Sequence, residues 1–509
     1  MSRRQASATS EVFGGSSRVF IAEAASLPTA IITAAFLARR FGPTDYGVFT
    51  LTLAVVAWVE WTLASLFARA AVKHVADAED WRPAGAVVLR MFAITGLVGL
   101  LVLWVASPAL GALMHEPSLP HHLQLLALDV PLFMLTQAHQ QVLVGMGEYG
   151  RRAAIAAWRW VGRMVLMLAF VSAGFGIDGA LAGIVGASVV ELAVARWFVK
   201  PRLRDARLGN TAAMWSYALP LVAAAISLRL FDRLDLFMLK ALGASAAMAG
   251  IYSAAQNLTI VPGLVALSVT TLLLSTLSRA TRLGDDAGAR TLVHNAMRGV
   301  LLLFPFAGVA AGASTGLATL IFGARFASTG PLLSVLIFGA ISVVVISVAS
   351  ALLTAAGKAT SAMIASAPIV PIAVTAHLIV IPRYGASGAA VVTFAVASLG
   401  AALALAAVRK AWHMWPPPAT ALRSVVATGV AIVVGTRWVT TGAMVFVELA
   451  VVSLGVIALL VAMGELTPRE RELAVSVLRR ARGARGAVRH QDTHQRAHLP
   501  AKGSDADGV

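Results

Sequence analysis

The 509-residue chain has no cysteine and few charged residues, which make up 13% of the sequence. Without cysteine there are no disulfides, no thiolate chemistry and no cysteine-based metal site. A soluble protein has about 25% charged residues, so this chain has too little polar surface to face water on all sides. It also lacks a G-x-x-x-x-G-K-[ST] loop, which argues against an ATP-driven mechanism within the chain.

Apolar residues dominate instead, at 58% of the sequence with a mean hydropathy of +0.80. A bilayer-spanning helix needs about 20 apolar residues, and such stretches follow one another along almost the whole chain. The thirteenth stretch is the shortest, and Thr440–Gly442 after it reads as a tight turn, so twelve spans is the alternative count. The fourteen predicted stretches are 17–39, 47–72, 84–106, 122–145, 153–173, 179–199, 214–239, 249–277, 294–322, 330–356, 361–382, 387–408, 422–439 and 442–463.

The net charge of +17 is distributed unevenly between the two sides of the predicted membrane. With the N-terminus inside, 33 of the 41 lysines and arginines lie at the cytoplasmic side, six lie outside and two lie within the seventh stretch. This bias places both termini in the cytoplasm. The basic character therefore indicates topology and contact with anionic phospholipids, and we expect no nucleic-acid binding.

Two pairs of segments repeat at a separation of about two hundred residues. Phe36–Leu51 reads FLARRFGPTDYGVFTL and Phe237–Ala254 reads FMLKALGASAAMAGIYSA, each with a basic residue, a glycine turn and a second glycine near an aromatic residue. Gly174–Ser188 and Arg383–Ser398 form the second pair. Internal duplication is common among transporters. We predict an all-α polytopic membrane protein with two pseudo-symmetric six-helix lobes around a central cavity and two extra C-terminal helices.

The repeat sets the predicted domain boundaries. Every loop is too short to hold a soluble domain, so specific chemistry must lie among the helices. The predicted segments are a disordered N-terminus (1–15), a first lobe (16–200), a cytoplasmic linker (201–211), a second lobe (212–410), two further helices (411–463) and a basic cytoplasmic tail (464–509).

The strongest chemical signal is a group of charges inside the seventh stretch: Arg229, Asp232, Arg233 and Asp235. Charges at membrane depth cost several kcal/mol unless they are paired or face a cavity. We interpret the group as a polar wall of the cavity that meets an anionic headgroup. The alternative is a self-neutralised set of salt bridges that joins this helix to a neighbour.

Other charged residues at membrane depth give weaker signals. Glu23 and Glu60 lie deep enough to line the cavity, and Arg18 either lines it or extends to the interface. Arg159 and Arg163 lie nearer a cytoplasmic end, so we expect their side chains to reach the interface. No histidine pair has metal-ligand spacing, so no metal or other cofactor is predicted. A structural role in turns and close helix contacts is predicted for Gly42, Tyr46, Gly47, Gly243, Gly250 and Tyr252.

Several ordered motifs resemble a known family. These are RRFGPTDYGVF at Arg39–Phe49, Asp235 eight residues before Gly243, Gly-Ile-Tyr at Gly250–Tyr252, Ile-Phe-Gly at Ile321–Gly323, and Ile-Pro-Arg-Tyr-Gly at Ile381–Gly385. Their order and spacing resemble the polysaccharide and O-antigen flippases of the multidrug/oligosaccharidyl-lipid/polysaccharide exporter superfamily. The resemblance covers about 16–410.

The resemblance implies a non-enzymatic flippase in the cytoplasmic membrane of a bacterium. It would move a polyprenyl-diphosphate-linked oligosaccharide, such as a lipopolysaccharide O-antigen precursor, from the inner to the outer leaflet. The implied candidates for a coupling ion are H⁺ and Na⁺, and the implied partner enzymes are a polysaccharide polymerase and glycosyltransferases. A drug or cation antiporter and a peptidoglycan-precursor flippase of the same superfamily remain alternatives. Two further alternatives belong to other classes. A membrane glycosyltransferase would need a larger outer loop than any in this chain. A non-transporting scaffold would act through the basic tail.

Overall fold

The computed structural model describes residues 26–200, 233–358, 360–361 and 368–465. In these ranges the chain is helical and contains no strand. The predicted N-terminal segment, the linker and nearly all of the tail lie outside them. The first lobe comprises α1 (Ser26–Ala76), α2 (Trp81–Leu113), α3 (Leu119–Ala127), α4 (Asp129–Gly145), α5 (Tyr149–Ser172) and α6 (Gly176–Phe198).

The remaining helices form the second lobe and a C-terminal pair. The second lobe comprises α7 (Leu234–Ala241), α8 (Ala246–Leu258), α9 (Ile260–Arg282), α10 (Asp286–Leu301), α11 (Leu303–Gly312), α12 (Ser314–Phe322), a 3₁₀ turn (Ala324–Phe326), α13 (Thr329–Ala355) and α14 (Ile369–Trp412). The C-terminal pair comprises α15 (Pro418–Arg437) and α16 (Met444–Ala462).

Nine helices in the described part are long and apolar enough to cross a membrane. Two of them, α1 and α14, bend at Gly42 (φ 76°) and Gly385 (φ 56°). The 50-residue span Leu27–Ala76 would measure about 75 Å if straight, more than twice the ~30 Å hydrocarbon core, so it crosses twice around its bend. The chain is therefore a multi-pass membrane protein, and the count of fourteen spans stays a prediction.

Side-chain caps and small residues explain several helix ends and contacts. Ser245 caps α8 by accepting a hydrogen bond from the Met248 amide (3.2 Å), which satisfies a donor left free at a helix start. The C-terminal pair packs against α11, where Gly312 and Gly435 lie so close that a Cβ on Gly312 would be 2.9 Å from the Gly435 Cα. Glycine is required at this contact because any side chain would separate the helices.

The C-terminal pair is also joined to the second lobe at the predicted cytoplasmic face. Glu465, just after α16, accepts hydrogen bonds from Arg298 on α10 (2.7 Å) and from Thr420 and Arg423 on α15 (both 2.8 Å). Burial raises the pKa of Glu465, but these hydrogen bonds outweigh burial and leave the pKa below its ordinary value of 4.5. This carboxylate ties three helices together.

Candidate functional site

The two lobes meet where α1 crosses α8, a contact named here the outer crossing. A Cβ on Gly47 would lie 1.9 Å from the carbonyl oxygen of Ala246. A Cβ on Gly250 would lie 2.1 Å from the carbonyl oxygen of Pro43. These distances are far below van der Waals contact, so the helices can approach this closely only because both positions are glycine. A positive-φ glycine precedes each contact: Gly42 (76°) at the bend of α1, and Gly243 (94°) in the turn before α8.

Polar and aromatic contacts surround the outer crossing. The Tyr46 hydroxyl accepts a hydrogen bond from Asn257 Nδ2 (3.0 Å), and its ring lies edge-on to Phe326 at 5.6 Å. Lys240 of the second lobe forms an ion pair with Glu116 of the first lobe (3.0 Å). These contacts hold the lobes together at the predicted outer face, and a cavity remains deeper in the membrane.

The first part of this cavity, the first-lobe chamber, has a volume of about 300 Å³. Its polar walls come mainly from α1, α4, α5 and α8. Its described lining residues are Thr50, Leu53, Ala54, Val56, Ala57, Trp58, Glu60, Trp61, Leu126, Asp129, Arg159, Trp160, Arg163, Arg233, Ser253 and Asn257.

Two arginines of α5 lie inside this chamber. Arg163 donates to Asp129 (2.8 Å) and to Ser188 (3.4 Å). The Arg159 guanidinium lies 4.5 Å from the ring centroid of Phe133 and 5.8 Å from that of Trp61. The expectation that these two arginines reach the interface is therefore wrong. Both side chains instead turn into the chamber, where Arg159 is 6% exposed and Arg163 is paired with Asp129.

Several buried polar atoms of the chamber have no hydrogen-bond partner among the described residues. Glu60 and Asp129 are only 3% and 1% exposed, and each has one carboxylate oxygen without a partner. The indole nitrogen of Trp58 and the Nε atoms of Arg159 and Arg163 are also buried without a hydrogen-bond partner among the described residues. Buried polar groups in native proteins are nearly always hydrogen-bonded to protein, water or ligand. These atoms have almost no accessible surface, so they lie within the walls of the chamber and not on its open face.

Arg233 connects this chamber to a second-lobe chamber of about 520 Å³. The Arg233 side chain donates to Gln256 Oε1 (2.7 Å), and Gln256 Nε2 donates to Asp235 (2.7 Å). Asp235 also accepts from Tyr252 (2.7 Å) and Thr393 (3.0 Å). The Asp235 carboxylate thus has its hydrogen-bond partners within its own lobe. Arg233 lines both chambers and places a positive charge between them.

An apolar pocket of about 180 Å³ adjoins the first-lobe chamber. Trp160, Arg163 and Asn257 line both spaces, so a cationic residue stands where apolar and polar walls meet. The other walls of the apolar pocket include Leu27, Ile31, Met164, Met167, Ile184, Ile260 and Phe322.

The structure thus brings Glu60 and Arg233 to one chamber and places Asp235 in the next. The predicted cavity residues Arg18, Glu23, Arg229 and Asp232 lie outside the described residues. Sequence reasoning missed Arg159, Arg163 and Asp129 as chamber residues, although their positions within predicted membrane stretches were the available signal. In the described ranges no three histidine or acidic residues are placed to hold a metal ion.

Comparisons with known proteins agree with this architecture. A family model described as "Polysaccharide biosynthesis protein" matches residues 36–331. No curated protein sequence matches the chain.

Among solved structures, the lipid II flippase MurJ in an inward closed conformation has a TM-score of 0.71 at 15% identity, covering 87% of this chain and 97% of that one. A mutant of the Vibrio cholerae MATE transporter VcmN has a TM-score of 0.58 at 16% identity, with coverage of 80% and 98%. A MOP superfamily transporter from Pyrococcus furiosus has a TM-score of 0.55 at 15% identity, with coverage of 83% of this chain and 96% of that one. At these identities the likeness shows the fold alone.

Proposed function

This chain belongs to the polysaccharide biosynthesis protein family, and we propose that it is a flippase for polyprenyl-diphosphate-linked oligosaccharides. It acts in the cytoplasmic membrane of a bacterium and moves its substrate from the inner to the outer leaflet by alternating access. The observation that carries this proposal is the set of three arginines, the buried Arg159 and the half-buried Arg163 and Arg233, that line one chamber beside an apolar pocket.

Each part of such a substrate has a matching surface. The diphosphate suits the arginines, because the guanidinium group presents a planar fork of donors to phosphate oxygens. The polyprenyl chain suits the apolar pocket, and Arg163 stands at the boundary between the two. The oligosaccharide suits the two chambers, whose volumes are about 300 and 520 Å³. The outer crossing closes the outer face in this conformation, which fits loading from the inner leaflet.

The proposed substrate implies partner enzymes that make it and use it. Glycosyltransferases supply the lipid-linked glycan and a polysaccharide polymerase uses it. Candidate coupling ions are H⁺ and Na⁺, and anionic phospholipids contact the basic cytoplasmic loops. An O-antigen precursor of lipopolysaccharide is one substrate of this class, and the peptidoglycan precursor lipid II is another.

A drug or cation antiporter is the second candidate, favoured by the carboxylates Glu60 and Asp129 on the chamber wall. Reconstitution of the full chain into proteoliposomes separates the two. The test substrates are a polyprenyl-diphosphate-linked sugar with a fluorescent group on the sugar and the cationic dye ethidium. The flippase proposal expects faster loss of fluorescence to an external quencher for the labelled lipid than in protein-free vesicles, with no ethidium uptake. Ethidium uptake without lipid movement would overturn the proposal and support the antiporter.

A further inference from the structure

We propose that Arg39 and Lys240 are equivalent latches, one from each lobe, that together hold the outer face of the protein closed. Each side chain crosses the lobe boundary and binds the chain where the third membrane segment of the opposite lobe ends. The proposal concerns the opening of the outer face, so it does not depend on which substrate the chain carries. It starts from the repeated segments of the sequence.

The repeat makes the two residues equivalent. Phe36–Gly42 reads FLARRFG and Phe237–Gly243 reads FMLKALG, so Arg39 and Lys240 each stand three residues after the phenylalanine and three before the glycine. Both glycines have a positive φ, 76° and 94°. Each cation therefore lies just before the turn that leads the chain into the outer crossing.

Arg39 reaches from the first lobe to the end of α12 in the second lobe. Its Nε donates to the carbonyl oxygen of Ile321 (3.0 Å), and a terminal guanidinium nitrogen donates to the carbonyl oxygen of Leu320. Since α12 ends at Phe322, these are two of its last four carbonyls, which have no partner within the helix. A cation is favoured at this place because the C-terminal end of a helix carries a partial negative charge.

Lys240 reaches in the opposite direction, from the second lobe to the residues that follow α2 in the first lobe. Its Nζ forms the ion pair with Glu116 (3.0 Å) and a longer hydrogen bond to the carbonyl oxygen of His115 (3.5 Å). It also donates to the carbonyl oxygen of Ala244 in its own lobe (3.2 Å). His115 lies two residues beyond the end of α2, so Lys240 binds the end of α2 much as Arg39 binds the end of α12.

The two targets correspond in the order of the helices. In the first lobe, α2 follows the two arms of the bent α1. In the second lobe, the segment α10–α12 follows α7 and the consecutive helices α8 and α9. Each target is thus the end of the third segment of its lobe, and each latch comes from the end of the first segment of the other lobe. The arrangement is reciprocal, which is what a duplicated chain can produce when its two halves close on each other.

The surroundings of the two latches make them reversible but unequal. Arg39 is exposed, so water can take over its hydrogen bonds when the lobes separate, and breaking them costs little. Lys240 is 2% exposed and the Glu116 side chain is 15% exposed. Separating this pair costs more, because both charges lose a partner in a buried place. Lys240 is therefore the stronger latch and Arg39 the weaker one.

The test measures how often the outer face opens in intact cells. Ser253 is 2% exposed and lines the first-lobe chamber, so Ser253→Cys should react with a membrane-impermeant maleimide added outside only when the outer face is open. Arg39→Met keeps an apolar stem and removes the charge and the donors, and should raise the labelling rate about two- to fivefold. The matched control is Arg40→Met, because Arg40 is the next residue, carries the same charge and is also exposed.

Two further variants test the pairing of the latches. Arg39 and Lys240 share no partner, so their effects should multiply, and Arg39→Met with Lys240→Ala should raise the labelling rate at least about tenfold. Arg39→Lys keeps the charge and one donor for the two carbonyls, so its rate should lie between those of wild type and Arg39→Met. Equal rates in Arg39→Lys and Arg39→Met would show that the donated hydrogen bonds do not matter.

Equal labelling rates in Arg39→Met, Arg40→Met and wild type, at normal protein levels, would overturn the proposal. Labelling from the cytoplasmic side of everted vesicles separates a latch from general loosening: it should not rise in Arg39→Met, and a rise from both sides would overturn the latch. If Arg39→Met accumulates poorly, Arg39→Lys is compared with Arg40→Lys. A faster rate in Arg39→Lys then supports the latch, and equal rates overturn it.

Discussion

Replacing Gly47 with alanine should open the outer face of the protein. The added Cβ would lie 1.9 Å from the Ala246 carbonyl oxygen and 2.9 Å from the Gly250 nitrogen, so the two helices must separate by about 1.5 Å to reach ordinary contact. Overpacking of this kind costs about 1–3 kcal/mol. That cost falls on the outward-closed conformation alone, which shifts the closed-to-open ratio by roughly 5- to 150-fold.

The lack of cysteine allows a direct assay of this shift. Ser253 is 2% exposed, lies about one turn beyond Gly250 on α8 and lines the first-lobe chamber. With Ser253→Cys as the single thiol, a membrane-impermeant maleimide is added outside intact cells. Gly47→Ala should raise the labelling rate about tenfold. The control is Gly429→Ala, because a Cβ there meets nothing within 4 Å. An unchanged labelling rate in Gly47→Ala at normal protein levels would refute the role of the outer crossing.

Three other predictions follow from the same structure. Lys240→Ala removes a largely buried ion pair with Glu116 across the lobes, which costs more than an exposed pair, so the same cysteine should be labelled at least about fivefold faster. Because the folded-state pKa of Glu465 is lowered, its carboxylate stabilises the fold above about pH 4.5, and this stabilisation is lost as the pH falls through the folded-state value. The melting temperature of wild type should exceed that of Glu465→Gln at pH 7, and the difference should shrink toward pH 4; a difference independent of pH would contradict this. Reporter fusions after Ala78, Gly209, Asp285 and Gly464 should read cytoplasmic and those after Pro117 and Gly176 external, and an external reading at Gly464 alone would rule out fourteen spans.

The membrane-embedded architecture could be predicted from the sequence, because hydrophobic length and charge bias are local properties of the chain. The repeated segments also predicted close helix contacts at Gly47 and Gly250, which the structure places against each other. Their mutual contact could not be derived, since it depends on how two helices about two hundred residues apart are arranged.

The chemistry of the first-lobe chamber was predicted less well. Glu60 and Arg233 were identified as cavity residues because a charge at membrane depth is costly unless it is paired or faces a cavity. Arg159 and Arg163 were assigned to the interface, since the position of a charge in the sequence does not show whether its side chain turns toward the headgroups or toward a neighbouring helix. The pairing of Arg163 with Asp129 joins α5 to α4, and no spacing rule within one helix could reveal it.

The most direct test of the central claim uses this pair. Arg163→Ala alone leaves Asp129 buried and unpaired, which should destabilise the protein by about 3–5 kcal/mol. The double variant Arg163→Leu, Asp129→Leu removes both charges and should restore stability. The decisive measurement is the translocation rate of a polyprenyl-diphosphate-linked sugar by this double variant in proteoliposomes. We predict a stable protein that translocates no faster than protein-free vesicles, because the diphosphate has lost the arginine at the chamber boundary. Translocation at the wild-type rate would contradict the account.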